Sequence, residues 1–262
     1  MDAILSSALE QSIKPFIISI TSSSPISLAS MLDAIQELRS KFRDTEGTTS
    51  RIGIELNTSC PNIKGSPPPA YNLSGLVPIL DVLAEYFWKD PTLTIGLKLP
   101  PYLYSTQFDD LVQCVAAYSR PDPSDDSRRI NPFAFLTSTN TLGQTLFFSE
   151  QAAPLPGQSV VVVADSDFAP AAFALPTGLG GMAGEALHPL ALGNVYTLRR
   201  LLDAHADTSL RDISIIGVGG VTTREAHVRM RKAGAAVVAC ATILVREGVS
   251  VFKRLSIPSD DD

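Results

Sequence analysis

The chain has 262 residues, 45% of them hydrophobic and 18% charged, enough to bury a large core as one barrel-sized domain or as two smaller ones. Its formal charge of −6 and the lack of any basic stripe argue against nucleic acid or an anionic membrane as partner. The longest nearly apolar stretch, "AGAAVVACATILV" at 233–245, is too short and broken to span a bilayer, and the first residues lack the charged region and cleavage pattern of a secretory signal.

A cytoplasmic protein is expected. Cys60, Cys114 and Cys240 show no CxxC spacing, so neither a disulfide framework nor a metal site is expected. His188, His205 and His227 are scattered and read as surface or helix-face residues.

In chain order, short β-branched runs alternate with longer helical patterns, the signature of βα units around a parallel sheet. "PFIISI" (15–20) predicts a strand; Ser24 then predicts an N-cap with Pro25 at the first helical position, before Leu28, Met31, Leu32, Ile35 and Leu38 at helical spacing. "IGIEL" (52–56) predicts a second strand that breaks into a polar loop holding Asn57, Ser59, Cys60, Pro61 and Asn62. Leu76, Ile79, Leu80 and Leu83 form the next helical stripe, and "LTIGLKL" (93–99) the next strand.

The run "SRPDPSDDSRR" (119–129) reads as a solvated loop whose charges need no partner, and "FAFLTS" (133–138) as a strand. The stretch 146–190 reads as an excursion between barrel units, with a further strand, "SVVVVAD", at 159–165. Val195, Leu198, Leu201 and Leu202 predict a third helix and "ISIIGV" (213–218) a strand. The pair Thr222 and Glu225 predicts a capping box for a fourth helix that stops at Gly234. "AVVACA" (236–241) is the last strand, and "VFKRL" gives at most a short helix before the acidic tail at 256–262.

Nearly continuous apolar strands suit a sheet covered on both faces. A closed (β/α)₈ barrel requires eight strands and only six barrel-type strands are read here, so the expected fold is α/β, of the TIM-barrel type and incomplete. In such barrels the loops after the strand carboxyl ends build the active site, and the last two often hold phosphate.

Gly219 and Gly220 follow "ISIIGV", and Ala241 and Thr242 follow "AVVAC". Glycines alone would mark only a tight turn; their place after the last two strands favours phosphate. Lys98, inside an apolar strand and stopped by Pro100 and Pro101, needs a counter-charge or a polar ligand. Asn140 and Thr141 end the next strand at the same height, and Asn140 could read an amide-like edge or simply form a turn. Cys60 ends a strand at that face, flanked by Asn57 and Asn62, with no histidine partner and no second ligand nearby. Proton transfer and a buried inert thiol remain as its alternatives.

Read together, "IELNTSCPNIKG", "GLKLPPY", "TSTNTLG", "TGLGG", "IIGVGGVTTREA" and "AGAAVVACATIL" resemble dihydroorotate dehydrogenases of the class 1, fumarate-using branch, in family order and over about residues 14–255. The "SCPN" loop is the most specific feature, because the membrane-associated class carries serine at the position of Cys60.

The resemblance implies one FMN-dependent barrel domain over 1–262, a cytoplasmic homodimer that oxidises (S)-dihydroorotate to orotate in pyrimidine biosynthesis and passes electrons to fumarate. It implies Cys60 as the base for the C5 proton, and Asn57, Pro61, Asn62, Asn140 and Thr141 around the substrate. Lys98, Gly180, Gly181, Gly219, Gly220, Ala241 and Thr242 are implied around FMN, and no metal is implied. Two other readings share these residues: a non-catalytic member that keeps the shape, and a different FMN barrel acting on another ring. Relative to the family, Ala241 stands where glycine is usual, the loop of Gln144 and Thr145 is less glycine-rich, and two initial βα units have no counterpart.

Overall fold

The computed structural model describes residues 14–46, 50–59, 68–122, 125–151 and 173–256. Six apolar runs form one parallel sheet in the order β1 (Phe16–Ile20), β2 (Ile52–Asn57), β3 (Thr94–Lys98), β6 (Phe133–Ser138), β9 (Ser214–Val218) and β10 (Val237–Ala239). The sheet is curled into part of a barrel, so the fold is α/β and of the incomplete TIM-barrel type.

Side chains alternate across each strand, and the register carries that alternation from strand to strand. Leu56, Leu97, Leu136 and Ile215 share the convex row. They are completely or almost completely buried, in one cluster with Leu28, Leu80, Leu111 and Leu198. Those four come from the covering helices α1 (Pro25–Lys41), α2 (Leu73–Lys89), α3 (Ser105–Ala116) and α4 (His188–Ala204). Full burial of each such side chain stabilises the fold by roughly 1.5–3 kcal/mol.

The concave row holds Ser19, Glu55, Gly96, Phe135 and Ser214. A Cβ at Gly96 would lie 2.1 Å from the Phe135 ring, so this ring is seated only because its neighbour has no side chain. Between Ile95 paired with Phe133 and Gly96 paired with Phe135 the register shifts, leaving Ala134 as a one-residue bulge in β6. Among the described residues β1 and β10 are the two edges of the sheet, and their concave-face residues Ile17 and Val237 are 48% and 53% exposed.

Helix ends follow local chemistry. Ser24 caps α1, its Oγ accepting from Ser27 N, with Pro25 at the first helical position. Helix α5 (Arg224–Lys232) is capped by Thr223, one residue later than the sequence pattern suggests, because the Thr223 side chain accepts from Ala226 N. Gly234, at φ +113°, ends that helix, and Ala235 N–H closes back on Met230 O at 3.2 Å.

Between α1 and β2 lies a buried ion-pair network. Arg39 is fully buried, with Nε 3.1 Å from Asp44 Oδ2 and Nη1 2.7 Å from Asp90 Oδ2. Arg39 also donates to Gln36 Oε1 and Thr92 Oγ1. Asp44 in turn accepts from Ser50 Oγ, Arg51 N and Ile52 N, which ties the entry of β2 to the end of α1.

The expectation for the polar run is corrected. The polar run after α3 is a hairpin, β4 (Arg120–Asp122) paired antiparallel with β5 (Asp125–Ile130). Its charges do have partners, since Arg129 Nε lies 3.0 Å from Asp207 Oδ2 and Arg128 3.5 Å from Asp212. β7 (Leu142–Leu146), at the start of the excursion expected at 146–190, pairs antiparallel with β8 (Leu179–Met182) within it. The strand expected at 159–165 lies outside the described residues. The described residues end with two short helices, α6 (Thr242–Glu247) and α7 (Ser250–Leu255).

Candidate active site

A cavity of about 350 Å³ opens where β3, β6, β9 and β10 end, lined by Glu55, Lys98, Asn140, Thr141, Gly219, Gly220, Ala241 and Thr242 among others. It lies in the size range of small-molecule sites, about 300–1,000 Å³. Seven sequence-derived candidates therefore share one space.

Lys98 is the last residue of β3, before Pro100 and Pro101. Among the described residues no carboxylate lies within 4 Å of its amine, so a structural ion pair does not account for it. Glu55 is a residue that sequence reasoning missed. It is 8% exposed on the concave row; Oε1 accepts from Ser19 Oγ at 2.8 Å and Oε2 from Thr137 Oγ1 at 2.6 Å. Reaching from β2 to Thr137 on β6, it crosses the strand that carries the side-chain-free Gly96. A glutamate inside "IGIEL" carried the same signal as the lysine in the next strand: a charge in an apolar run needs partners.

Asn140 joins the strand ends. Its Nδ2 donates to Ser59 Oγ at 2.7 Å, Ser59 Oγ donates onward to Asn57 Oδ1 at 3.0 Å, and the Asn140 amide also lies 3.4 Å from Asn57 Oδ1. Asn140 Oδ1 accepts from Thr141 N at 2.8 Å, so its turn-forming role is real as well. This chain of bonds fixes the start of the loop in which Cys60 follows Ser59. Cys60, Pro61 and Asn62 themselves lie outside the described residues. Thr139, buried in the cavity wall, has a hydroxyl with no partner among the described residues.

After β9 the backbone turns through Gly219 at φ +139° and Gly220 at φ +62°. A Cβ at Gly220 would lie 2.6 Å from Gly184 O and 2.7 Å from His188 Cβ, so only glycine fits. Thr222 Oγ1 donates to Glu185 Oε1 at 2.6 Å, holding the far side of the turn. Ala241 and Thr242 are exposed at the mouth, leaving room at the Ala241 methyl.

Gly180 and Gly181 line an adjoining cavity of about 700 Å³ that shares Ala183, Gly184 and Thr242 with the first. Gly181 still touches the site, since a Cβ there would lie 2.2 Å from Thr141 Oγ1.

His188, expected as a surface or helix-face residue, is the buried first residue of α4, with its ring against the Gly219 carbonyl. Cys240 lines the cavity half-buried, and burial pushes its thiol up, toward the neutral form. Among the described residues no cluster of histidine, cysteine, aspartate and glutamate could hold a metal. No helix among them is long and apolar enough to cross a membrane.

Fold and cavity together define an α/β protein of the barrel type with a cavity of small-molecule size at the carboxyl ends of its parallel strands. The dihydroorotate dehydrogenase family model matches residues 161–257. A probable dihydroorotate dehydrogenase A (fumarate) of Streptococcus pneumoniae serotype 4 is 31% identical over 256 residues, covering 98% of this chain and 66% of the relative. Putative dihydroorotate dehydrogenases A (fumarate) of Streptococcus equi subsp. equi and Streptococcus pyogenes serotype M18 are 29% and 28% identical, over 78% and 93% of this chain and 52% and 61% of theirs. The chain belongs to the class 1 branch of the dihydroorotate dehydrogenase family. It spans at most about two thirds of the length of these relatives.

Proposed function

We propose that the chain is a cytoplasmic flavoenzyme that binds FMN, oxidises (S)-dihydroorotate to orotate in pyrimidine synthesis and delivers the electrons to fumarate, working as a homodimer without nucleic-acid or membrane partners. The observation that carries this reading is the grouping of Lys98, Asn140, Thr141, Gly219, Gly220 and Thr242 around one cavity. The names of the relatives support substrate and acceptor.

The residues present fit FMN. Among the described residues, Thr139 offers an unpartnered buried hydroxyl and Lys98 an ammonium without a carboxylate within 4 Å, and the Gly219–Gly220 turn brings its backbone to the cavity wall. The glycine turn and Thr242 would hold the phosphate, and Lys98 the ring system. When bound, FMN supplies the acceptor for the hydride that leaves C6 and passes the reducing equivalents to fumarate. Cys60, as thiolate, takes the C5 proton; an ordinary cysteine pKa near 8.5 makes that form accessible near neutral pH. Asn57, Pro61, Asn62, Asn140 and Thr141 orient the pyrimidine ring and its carboxylate. Asn140 does so from a position already set by Ser59.

The test is anaerobic titration of the flavin-loaded chain with dihydroorotate, followed by absorbance, with orotate measured chromatographically and fumarate added last. Bleaching, orotate formation and recovery of colour are expected. A chain that takes up no FMN overturns the cofactor assignment; bound flavin that dihydroorotate leaves oxidised points to a different ring as substrate.

A further inference from the structure

The buried histidine of α4 is the strongest feature that the proposed chemistry leaves unused. His188 Nδ1 lies 2.8 Å from Gly219 O, and Arg229 Nε on α5 lies 3.3 Å from His188 Nε2. A guanidinium N–H can only donate, so Nε2 is the acceptor and the ring proton sits on Nδ1, from which it donates to the Gly219 carbonyl. Arg229 therefore selects the tautomer.

The consequence passes through one peptide group. In a planar trans peptide the C=O of one residue and the N–H of the next point in opposite directions. With the Gly219 carbonyl drawn back onto His188, the Gly220 N–H is turned to the other side of the turn. Both glycines line the cavity, and the Gly220 N–H has no acceptor among the described residues. The two glycines, at φ +139° and +62°, make a turn, and backbone N–H groups in turns can bind anions.

We infer that His188 is a positioning residue: it orients the Gly219–Gly220 peptide so that the Gly220 N–H meets the phosphate of the cofactor, and Arg229 keeps it in the tautomer that can do so. This rests on the FMN reading above and adds to it the group that makes the turn selective for a phosphate monoester.

The experiment compares FMN with riboflavin, which lacks the phosphate, by quenching of flavin fluorescence in the full chain, its His188→Ala variant and its His188→Asn variant. His188→Ala weakens FMN by roughly 3- to 10-fold, the scale of one hydrogen bond, and leaves riboflavin unchanged. His188→Asn, whose amide N–H can replace Nδ1–H, retains most FMN affinity. Equal losses for both flavins in His188→Ala would show a merely structural histidine, with the cofactor reading intact. Failure of the unaltered chain to prefer FMN over riboflavin would overturn the phosphate assignment itself. Nitrogen NMR of the flavin-free chain adds a readout that does not depend on the cofactor: the His188 ring is protonated at Nδ1, and a ring protonated at Nε2 refutes the inference.

Discussion

Asp44→Ala is expected to be among the most destabilising single substitutions in the helical layer. It removes a carboxylate whose side chain is 3% exposed and which accepts from Arg39 Nε, Ser50 Oγ, Arg51 N and Ile52 N. Breaking a buried pair by removing one partner typically costs about 3–5 kcal/mol, because a buried charge loses its compensation. Asp90 still faces Arg39 at 2.7 Å, which places the cation's share at the low end; the stranded N–H groups of Arg51 and Ile52 add about 1–3 kcal/mol each where water cannot reach them. A total of about 5 kcal/mol, the low end of each contribution, at about 2–4 °C per kcal/mol for a chain of this size, lowers Tm by roughly 10–20 °C.

Thermal unfolding followed by circular dichroism reads this directly, and the double variant Arg39→Met with Asp44→Ala should recover part of the loss, since the uncompensated charge is gone. pH supplies a second check. Burial pushes the Asp44 carboxyl up, but the hydrogen bonds from Arg51, Ser50, Ile52 and Arg39 outweigh it and hold it below the ordinary 3.8. A folded-state value below the unfolded one gives stability that is present above the unfolded value and lost as pH falls through the folded one. The gap between the unaltered chain and Asp44→Ala should therefore narrow below about pH 4. A Tm change under about 2 °C, or strictly additive losses in the double variant, would refute the reasoning.

Cys60→Ala should keep FMN but lose dihydroorotate oxidation by about 10²–10⁴-fold, while Cys60→Ser recovers activity only at raised pH; near-normal turnover of the alanine variant removes the base assignment. Lys98→Ala should weaken flavin retention and alter flavin reduction while the far-ultraviolet dichroism stays unchanged, and loss of the helical signal would assign the lysine a structural role instead. The exposed Ile17 and Val237 on the two sheet edges predict self-association of the chain, reduced by Ile17→Lys, on size-exclusion chromatography. A monodisperse, flavin-loaded monomer would contradict that expectation.

The six sheet strands were legible because a parallel strand covered on both faces is a nearly continuous apolar run, as in β2 and β9. Helix α3 was not, although Phe108, Leu111, Val112 and Val115 are buried at helical spacing, because it begins with the polar "STQ" just after two prolines. The β4–β5 hairpin escaped notice for a different reason: its strands are charged and mostly exposed, and backbone pairing, which composition does not reveal, holds them together.

Lys98, Asn140 and the glycine turn could be placed from their positions at strand ends. Glu55 and His188 depended on partners distant in sequence, at separations of 36 and 82 residues for Glu55 and 31 for His188, and a single strand or helix read alone does not show them.

Ala134, the bulge residue of β6, acts as a phase shifter for everything downstream of it. Were Ala134 paired in step with Gly96 instead of bulged, Lys98 on β3 would stand opposite Leu136, and the hydroxyl that now binds Glu55 would turn toward the helices. Straightening the bulge with Ala134 kept in the strand, about 20 Å or less from Asn140 at some 3.3 Å per residue, would thus invert the polarity of one wall of the cavity without touching any residue that lines it.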